Sequence, residues 1–417
     1  MKTSRVRKRL ESIVHRLAPR EHRRLRRTGY HFAIADAIDQ LNPAAWDAAA
    51  ADSSLFLSRS YLNLLERHRP ANLEPRYALV SENGAAIAAI ACQVVTLDAE
   101  RVGRRRTTTR RLARALAPAV DQLKGVVRER VLVCGNLLTW GQHAVALSPR
   151  GRLDVARTWS AVAEALYRIR RIERVAGGSD LSMIKDFDLG SLTSPSLTDA
   201  GFRRVETEPN MALAIDGGWK SHDDYLAALD GKYRKSARQI FKEVADSGAT
   251  VERCHDIAPL ADEFHRLYMA VQANNVIRPV ATPSSYLVAL AETFPDDFRA
   301  TVIRREGALL GFVVTIRDGE SAIGYHIGFD REAAQTAPLY LRLLHAVVAD
   351  AIDLGCRRLS LGRTALEPKA RLGARPEPME MWVKHRTGGL NFVLGNLLAS
   401  IDHAEAPERN PFKKVKA

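Results

Sequence analysis

The stretch that most constrains this 417-residue chain runs from residue 299 to residue 384. Three short runs of strand-forming residues open it, at 299–304, 309–316 and 321–329. Gly307 and Asp318-Gly319 punctuate the two turns between them, as tight β connections require. A helix is predicted over 339–354, because Leu341, Leu344, Val348 and Ile352 recur on one face at helical spacing. Thr336 is placed to cap it, Pro338 is tolerated in its first turn, and Gly355 stops it. A strand at 357–361, a loop at 362–373 and a closing strand at 379–384 complete the order.

An echo of this order precedes it. Helix 56–68, strands 77–81 and 85–97 around the Asn83-Gly84 turn, strand 131–134, helix 155–170, strand 181–184 and strand 211–215 follow one another. The run Ala200-Gly201-Phe202 to Glu208-Pro209-Asn210-Met211 parallels Leu372-Gly373-Ala374 to Glu377-Pro378-Met379. Length allows two cores. The expected fold is therefore α/β (α+β), with two tandem mixed-sheet domains flanked by helices. Their bounds are 41–216, interrupted by a basic insertion at 101–130, and 217–388. A basic N-terminal segment, 1–40, and a tail, 389–417, flank them. The alternative is one such domain behind an unrelated α/β domain.

The net charge of +14 is concentrated. Residues 1–30 hold eleven Lys/Arg against two carboxylates, and residues 101–130 ten against two. Val6, Leu10, Ile13, Val14 and Leu17 fall on one face of the first segment, the pattern of a helix on an anionic membrane surface. A disordered basic tail and an organelle transit peptide are the alternatives there. No apolar run reaches the ~18 residues of a membrane span. The scattered Cys92, Cys134, Cys254 and Cys356 form no CxxC pair, which points to buried thiols and a cytoplasmic setting, and the basic segments to a place at the inner face of the membrane.

Phosphate-loop, dinucleotide, zinc-protease and serine-hydrolase signatures are absent, and the twelve histidines show no ligand spacing, so no metal is expected. What remains suits transfer of an activated acyl group to an amine, which needs a proton acceptor and donors for a developing oxyanion. His326 and Asp330, at a strand end, are the candidate base and water-positioning groups, with Tyr325 beside them. Alternation puts Gly324, His326 and Gly328 on one face. Lys369 and Arg371 share a loop with Gly373 and suit a phosphate or carboxylate, with Arg363 and Glu367 as weaker candidates. Lys185-Asp186 occupies the matching strand end of the first half. Each has a bland reading: a core histidine, a solvated loop pair, a structural ion pair.

Three features carry a resemblance: the strand end Tyr325-His326-Ile327-Gly328-Phe329-Asp330, the Pro338-led helix, and the Gly362…Lys369-x-x-Leu372-Gly373 loop. Together they resemble the acyltransferase domain of the BioF2-like and Fem-type group of the GNAT superfamily, over roughly residues 46–386. The resemblance implies a double GNAT-like fold and an N-acyltransferase, Fem members transferring amino acids in peptidoglycan synthesis. It also implies a lysine facing the substrate cleft at Lys369, and cell-envelope or lipid-related metabolism. The glycine-rich turn that cradles the coenzyme A diphosphate is replaced by Glu332-Ala333-Ala334-Gln335-Thr336-Ala337-Pro338, as in Fem-type enzymes. Acyl-CoA and aminoacyl-tRNA therefore both stand as donors, with a small-molecule, lipid or envelope-precursor acceptor. The second reading, from another class, is a non-catalytic binding protein for anionic membrane or nucleic acid on a degenerate transferase fold.

Overall fold

The computed structural model describes residues 28–97, 129–188, 194–273, 279–391 and 407–413. The first half runs β1 (His31–Ala35), α1 (Pro43–Ala50), α2 (Arg59–Arg67), β2 (Leu73–Glu82), β3 (Ala85–Leu97), β4 (Glu129–Cys134), a short β5 (Val145–Leu147), α3 (Val155–Ile172), β6 (Leu181–Asp188), α4 (Ser194–Asp199) and β7 (Arg203–Ala214). Helices α5 (His222–Ala228) and α6 (Gly231–Asp246) link it to the second half. There the order repeats as β8 (Thr250–Arg253), α7 (Ala261–Gln272), α8 (Ser285–Thr293), β9 (Phe298–Arg305), β10 (Ala308–Asp318) and β11 (Ser321–Phe329). A helical turn α9 (Ala333–Thr336), then α10 (Leu339–Asp353), β12 (Arg358–Ser360), α11 (Leu366–Arg371) and β13 (Arg375–His385) complete it. Apart from β5 and α9, every element of one half has a counterpart in the other.

The strands form one sheet in the order β1-β2-β3-β4-β6-β13-β7-β12-β11-β10-β9-β8, with β5 paired to β3. That order is palindromic in the repeat. In each half four antiparallel strands precede a long helix, and the fifth strand returns parallel to the fourth: β6 beside β4, β12 beside β11. A parallel return needs such a crossover. The closing strands are then exchanged. β13 lies against β6 of the first half and β7 against β12 of the second, and the two pair with each other at the centre.

Three cores follow from the two faces. Trp159, Val162, Leu166 and Ile169 form the helical stripe by which α3 covers the first half. Leu343, Leu344, Val347 and Val348 do the same for α10 over the second half. Each fully buried side chain of this kind contributes about 1.5–3 kcal/mol. On the opposite face a shared core joins the halves: α1 and α2 pack with α7 and α8, so that Phe56 and Tyr61 meet Tyr286 and Tyr325.

Several expectations are corrected. β1 lies inside the stretch 1–40, where its alternating burial fits a strand paired with β2. Thr336 does not cap α10; its hydroxyl donates to the Ala333 carbonyl, and Pro338 holds the cap position. The loop 362–373 contains α11, entered through left-handed Ala365. Cys92, Cys134 and Cys356 are buried, whereas Cys254 is partly exposed. Most of the basic segments 1–30 and 101–130 lies outside the described residues.

Candidate active site

The site is built where the fourth and fifth strands of the second half part. β11 and β12 pair only over Ser321–Ile323 against Arg358–Ser360. Beyond that, β11 takes a bulge at Tyr325, between the pairs Val314–His326 and Thr315–Gly324. The bulge overturns the expected alternation. A Cβ at Gly324 would meet Val347 of α10, while one at Gly328 would meet the backbone of Leu267 and Tyr268 in α7. Tyr325 and His326 thereby both turn toward the shared core, where His326 contacts the Tyr268 and Tyr325 rings.

His326 is 3% exposed and both its ring nitrogens are buried without a hydrogen-bond partner. Burial pushes its pKa down to about 3. It is therefore neutral, and too weak a base in this state to take a proton from an ammonium group. An unpaired buried polar group costs about 1–3 kcal/mol, so its presence calls for a physical reason, a catalytic role being one. Beside it runs a buried polar chain. The Tyr325 and Tyr286 hydroxyls are 2.7 Å apart and those of Tyr286 and Tyr61 3.0 Å. Asn136 Nδ2 donates to Tyr61 at 2.8 Å. The amide orientation is fixed, because Asn136 Oδ1 accepts from the Leu138 N–H and from Gln93. Asp330 does not reach this chain. Its carboxylate accepts the Glu332 and Ala333 N–H groups at the entry to α9.

On the β12 side, Lys369 projects from α11 and is 4% exposed. Its Nζ donates to the Gly362 carbonyl at 3.2 Å, and burial lowers its pKa to about 7. Gly362 packs closely on Trp140 in a left-handed backbone, where a Cβ would sit a tight 3.1 Å from the ring. Next to it, Arg363 pairs with Asp186 of the first half, which also pairs with Lys185 and accepts the Gly141 N–H at 3.0 Å. Burial lowers Arg363 to about 10, and burial together with Arg363 holds Lys185 well below the ordinary lysine value. Glu367 and Arg371 pair with each other on the outer face of α11, away from this cluster.

A cavity of about 660 Å³ opens beside the cluster, lined among others by Trp140, His143, Asn210, Arg358, Ser360 and Glu377. Ser321 and Ile323 line it too, so it runs along the face of β11 that carries Tyr325 and His326. Phe56 separates them, its ring 4.8 Å from His143 and 5.7 Å from Tyr325. Trp140 Nε1 donates to Ser360, Ser360 to Asn210 Oδ1, and Asn210 Nδ2 to Glu377, which Arg358 holds from the other side. Burial lowers His143 to about 4 against the pull of Asp318. None of these wall residues stood out in the sequence as chemistry. One signal did mark the place: the echoed segments that contain Asn210 and Glu377 face each other across the β7–β13 pair. Among the described residues no group of three or more His, Cys, Asp or Glu could hold a metal ion.

Residues 231–370 match the family model described as an acetyltransferase (GNAT) domain. That span holds β8 to β12, the parting of β11 and β12, His326 and Lys369. Over most of the chain the fold is similar to that of one solved structure. The crystal structure of FemX superposes with a TM-score of 0.51 at 10% identity, covering 85% of this chain and 98% of FemX. A tandem GNAT protein from the clavulanic acid biosynthesis pathway, solved without AcCoA, gives 0.47 at 14% identity, covering 85% of this chain and 98% of that one. L-PGS from Bacillus licheniformis gives 0.44 at 11%, covering 81% and 96%. No curated protein sequence matches the chain.

Proposed function

We propose that the protein is an N-acyltransferase moving an acyl or aminoacyl group from an activated donor to an amine-bearing acceptor in cell-envelope or lipid-related metabolism. The observation that carries this reading is the gap between β11 and β12, floored by a buried amine, Lys369, within the span that matches the GNAT family model. An extended acyl-bearing arm suits such a gap, because among the described residues β11 beyond Ile323 has no strand partner on its β12 side. Gly324 adds no side chain to the gap. For acyl-CoA the fit extends to the arm; the diphosphate would meet the first turn of α10, where the α9 turn replaces a glycine-rich cradle. The thioester would supply the activated carbonyl.

Transfer forms a C–N bond and breaks the bond to the leaving sulfur or oxygen, which takes up a proton. Lys369, titrating near neutrality, can donate to the oxyanion or to the leaving group. The acceptor approaches through the cavity between the halves, along the Ile323 face of β11. Arg363, Lys185 and Asp186 hold the wall between cavity and gap rather than the acyl group itself. An aminoacyl-tRNA donor is favoured by one further feature. Arg234, Lys235, Arg238 and Lys242 line a groove along α6, and none of them pairs with a carboxylate among the described residues. No helix among the described residues is long and apolar enough to cross a membrane.

Incubation with acetyl-CoA and longer acyl-CoA thioesters, read as thiol release with a panel of amines, tests the first donor. Incubation with charged tRNA, read as loss of the aminoacyl ester, tests the second. Turnover with either supports transfer. Absence of turnover with both, in protein that binds neither, removes the reading.

A further inference from the structure

The last described segment, residues 407–413, returns from the end of the chain to lie on the helix that carries Lys369. Its backbone is pinned to the α5–α6 junction: the Asp230 N–H donates to the Pro411 carbonyl at 2.8 Å and the Lys413 N–H to that of Ala228 at 3.1 Å. Between these pins Phe412 forms a bridge with Leu229 and drops its ring among Trp219, Tyr225 and Gly373. The fit there is close. A Cβ at Gly373 would come within 2.3 Å of the Phe412 ring, so glycine is needed where α11 ends. Arg409 reaches the other end of α11, its Nε and NH2 donating to Glu367 at 3.1–3.3 Å. From beneath, the Tyr225 hydroxyl donates to the Leu372 carbonyl at 3.0 Å. α11 has six residues, too few to hold a helix by its own hydrogen bonds.

We propose that the strap 407–413 is a clamp that seats α11 and thereby positions Lys369 in the gap between β11 and β12, Phe412 acting as the peg and Arg409 as the tie. Phe412 and Arg409 are positioning residues; neither touches the gap. The inference rests on reading Lys369 as the working amine of the site, but its test needs no turnover. With the clamp in place Lys369 is kept from water; without it α11 loosens, water enters and the amine titrates closer to an ordinary lysine.

The test follows Lys369 itself in the full chain. Trace acetylation by acetic anhydride, which modifies only the neutral amine, is measured at Lys369 by mass spectrometry across pH 5–11. Wild type is expected to show a midpoint near 7. Phe412→Ala should raise it by about one pH unit or more, Phe412→Leu should restore most of the wild-type value, and Arg409→Ala should give a smaller rise. An unchanged midpoint in Phe412→Ala protein that still melts cooperatively overturns the clamp. If Phe412→Ala does not fold, Arg409→Ala decides, and an unmoved midpoint there overturns it. A wild-type midpoint at the ordinary lysine value also overturns it, because Lys369 would then already be open to water. Turnover of Lys369→Ala is a separate measurement, so the clamp and the transferase reading fail independently.

Discussion

Two places in this chain have the same construction and different contents. In each half the parallel pair parts where one of its strands stops, after Cys134 and Ile184 in the first half, where β4 ends, and after Ile323 and Ser360 in the second, where β12 ends. In the first half the gap is filled. The Lys185 stem lies on Gly135, where a Cβ would sit 3.2–3.3 Å from it, and its Nζ is spent on Thr139 and Asp186. In the second half the position equivalent to Asp186 is Gly362; both take a left-handed backbone, but the glycine adds no side chain. One half has closed its gap with a lysine and a carboxylate. The other keeps its gap open and sets a lysine at the floor. The two halves thus hold one open gap and one strut, and the strut's Asp186 holds Arg363 at the edge of the open gap.

The largest expected effect falls on the strut. Asp186→Ala strands Lys185 and Arg363 as buried charges and should cost about 3–5 kcal/mol, read by chemical denaturation. Lys185→Met, which keeps the gap filled and leaves Asp186 paired with Arg363, should change stability by less than about 1.5 kcal/mol. Equal losses for the two variants would break the comparison. Next, Lys369→Ala should lower transfer about 10²–10³-fold in whichever donor assay gives turnover, with the melting transition retained. A near-normal rate would move the chemistry away from the second gap.

The third prediction uses pH. Lys369 titrates near 7 in the fold and at about 10.4 in an unfolded chain, so between those values the unfolded chain carries the extra proton. Stability should therefore rise with pH from 7 to 10. Lys369→Met should remove this contribution while stabilising the protein at pH 7, as thermal melts across that range would show. The smallest effect is reserved for Arg371, whose guanidinium faces solvent at the far side of α11. Arg371→Ala should shift stability by less than about 0.5 kcal/mol, and a larger loss would mean that the outer face of α11 belongs to the site.

The hairpins of the second half were legible because their signals are local: β11 begins and ends where turn residues and strand formers place it. Arg363, Lys185 and Asp186 were singled out by their place at or just after a strand end, Lys369 by its loop and the resemblance, and the structure gathers the first three into one cluster. The strand exchange was not legible, since nothing near β13 says that its neighbours are β6 and β7. For the same reason Trp140, Asn210, Arg358 and Glu377 stayed hidden; they meet only because the exchange brings distant strands into register. The bulge at Tyr325 escaped because a period-2 pattern carries no mark of one extra residue. Glu367 and Arg371 read as site residues from spacing along the chain, but helix α11 turns them outward.

The exchange of closing strands also sets a schedule for synthesis. β6 ends at residue 188, yet the strand that covers its free edge begins at residue 375. At ribosomal speeds of about 5–20 residues per second, that edge waits roughly 10–40 s for its partner. Throughout this interval the nascent chain presents unpaired amides and carbonyls beside an apolar face, the kind of edge that recruits other strands. A ribosome stalled before residue 375 would leave the first half with an open edge, whatever its own sequence supplies, and chaperone capture should concentrate on chains arrested between these two points.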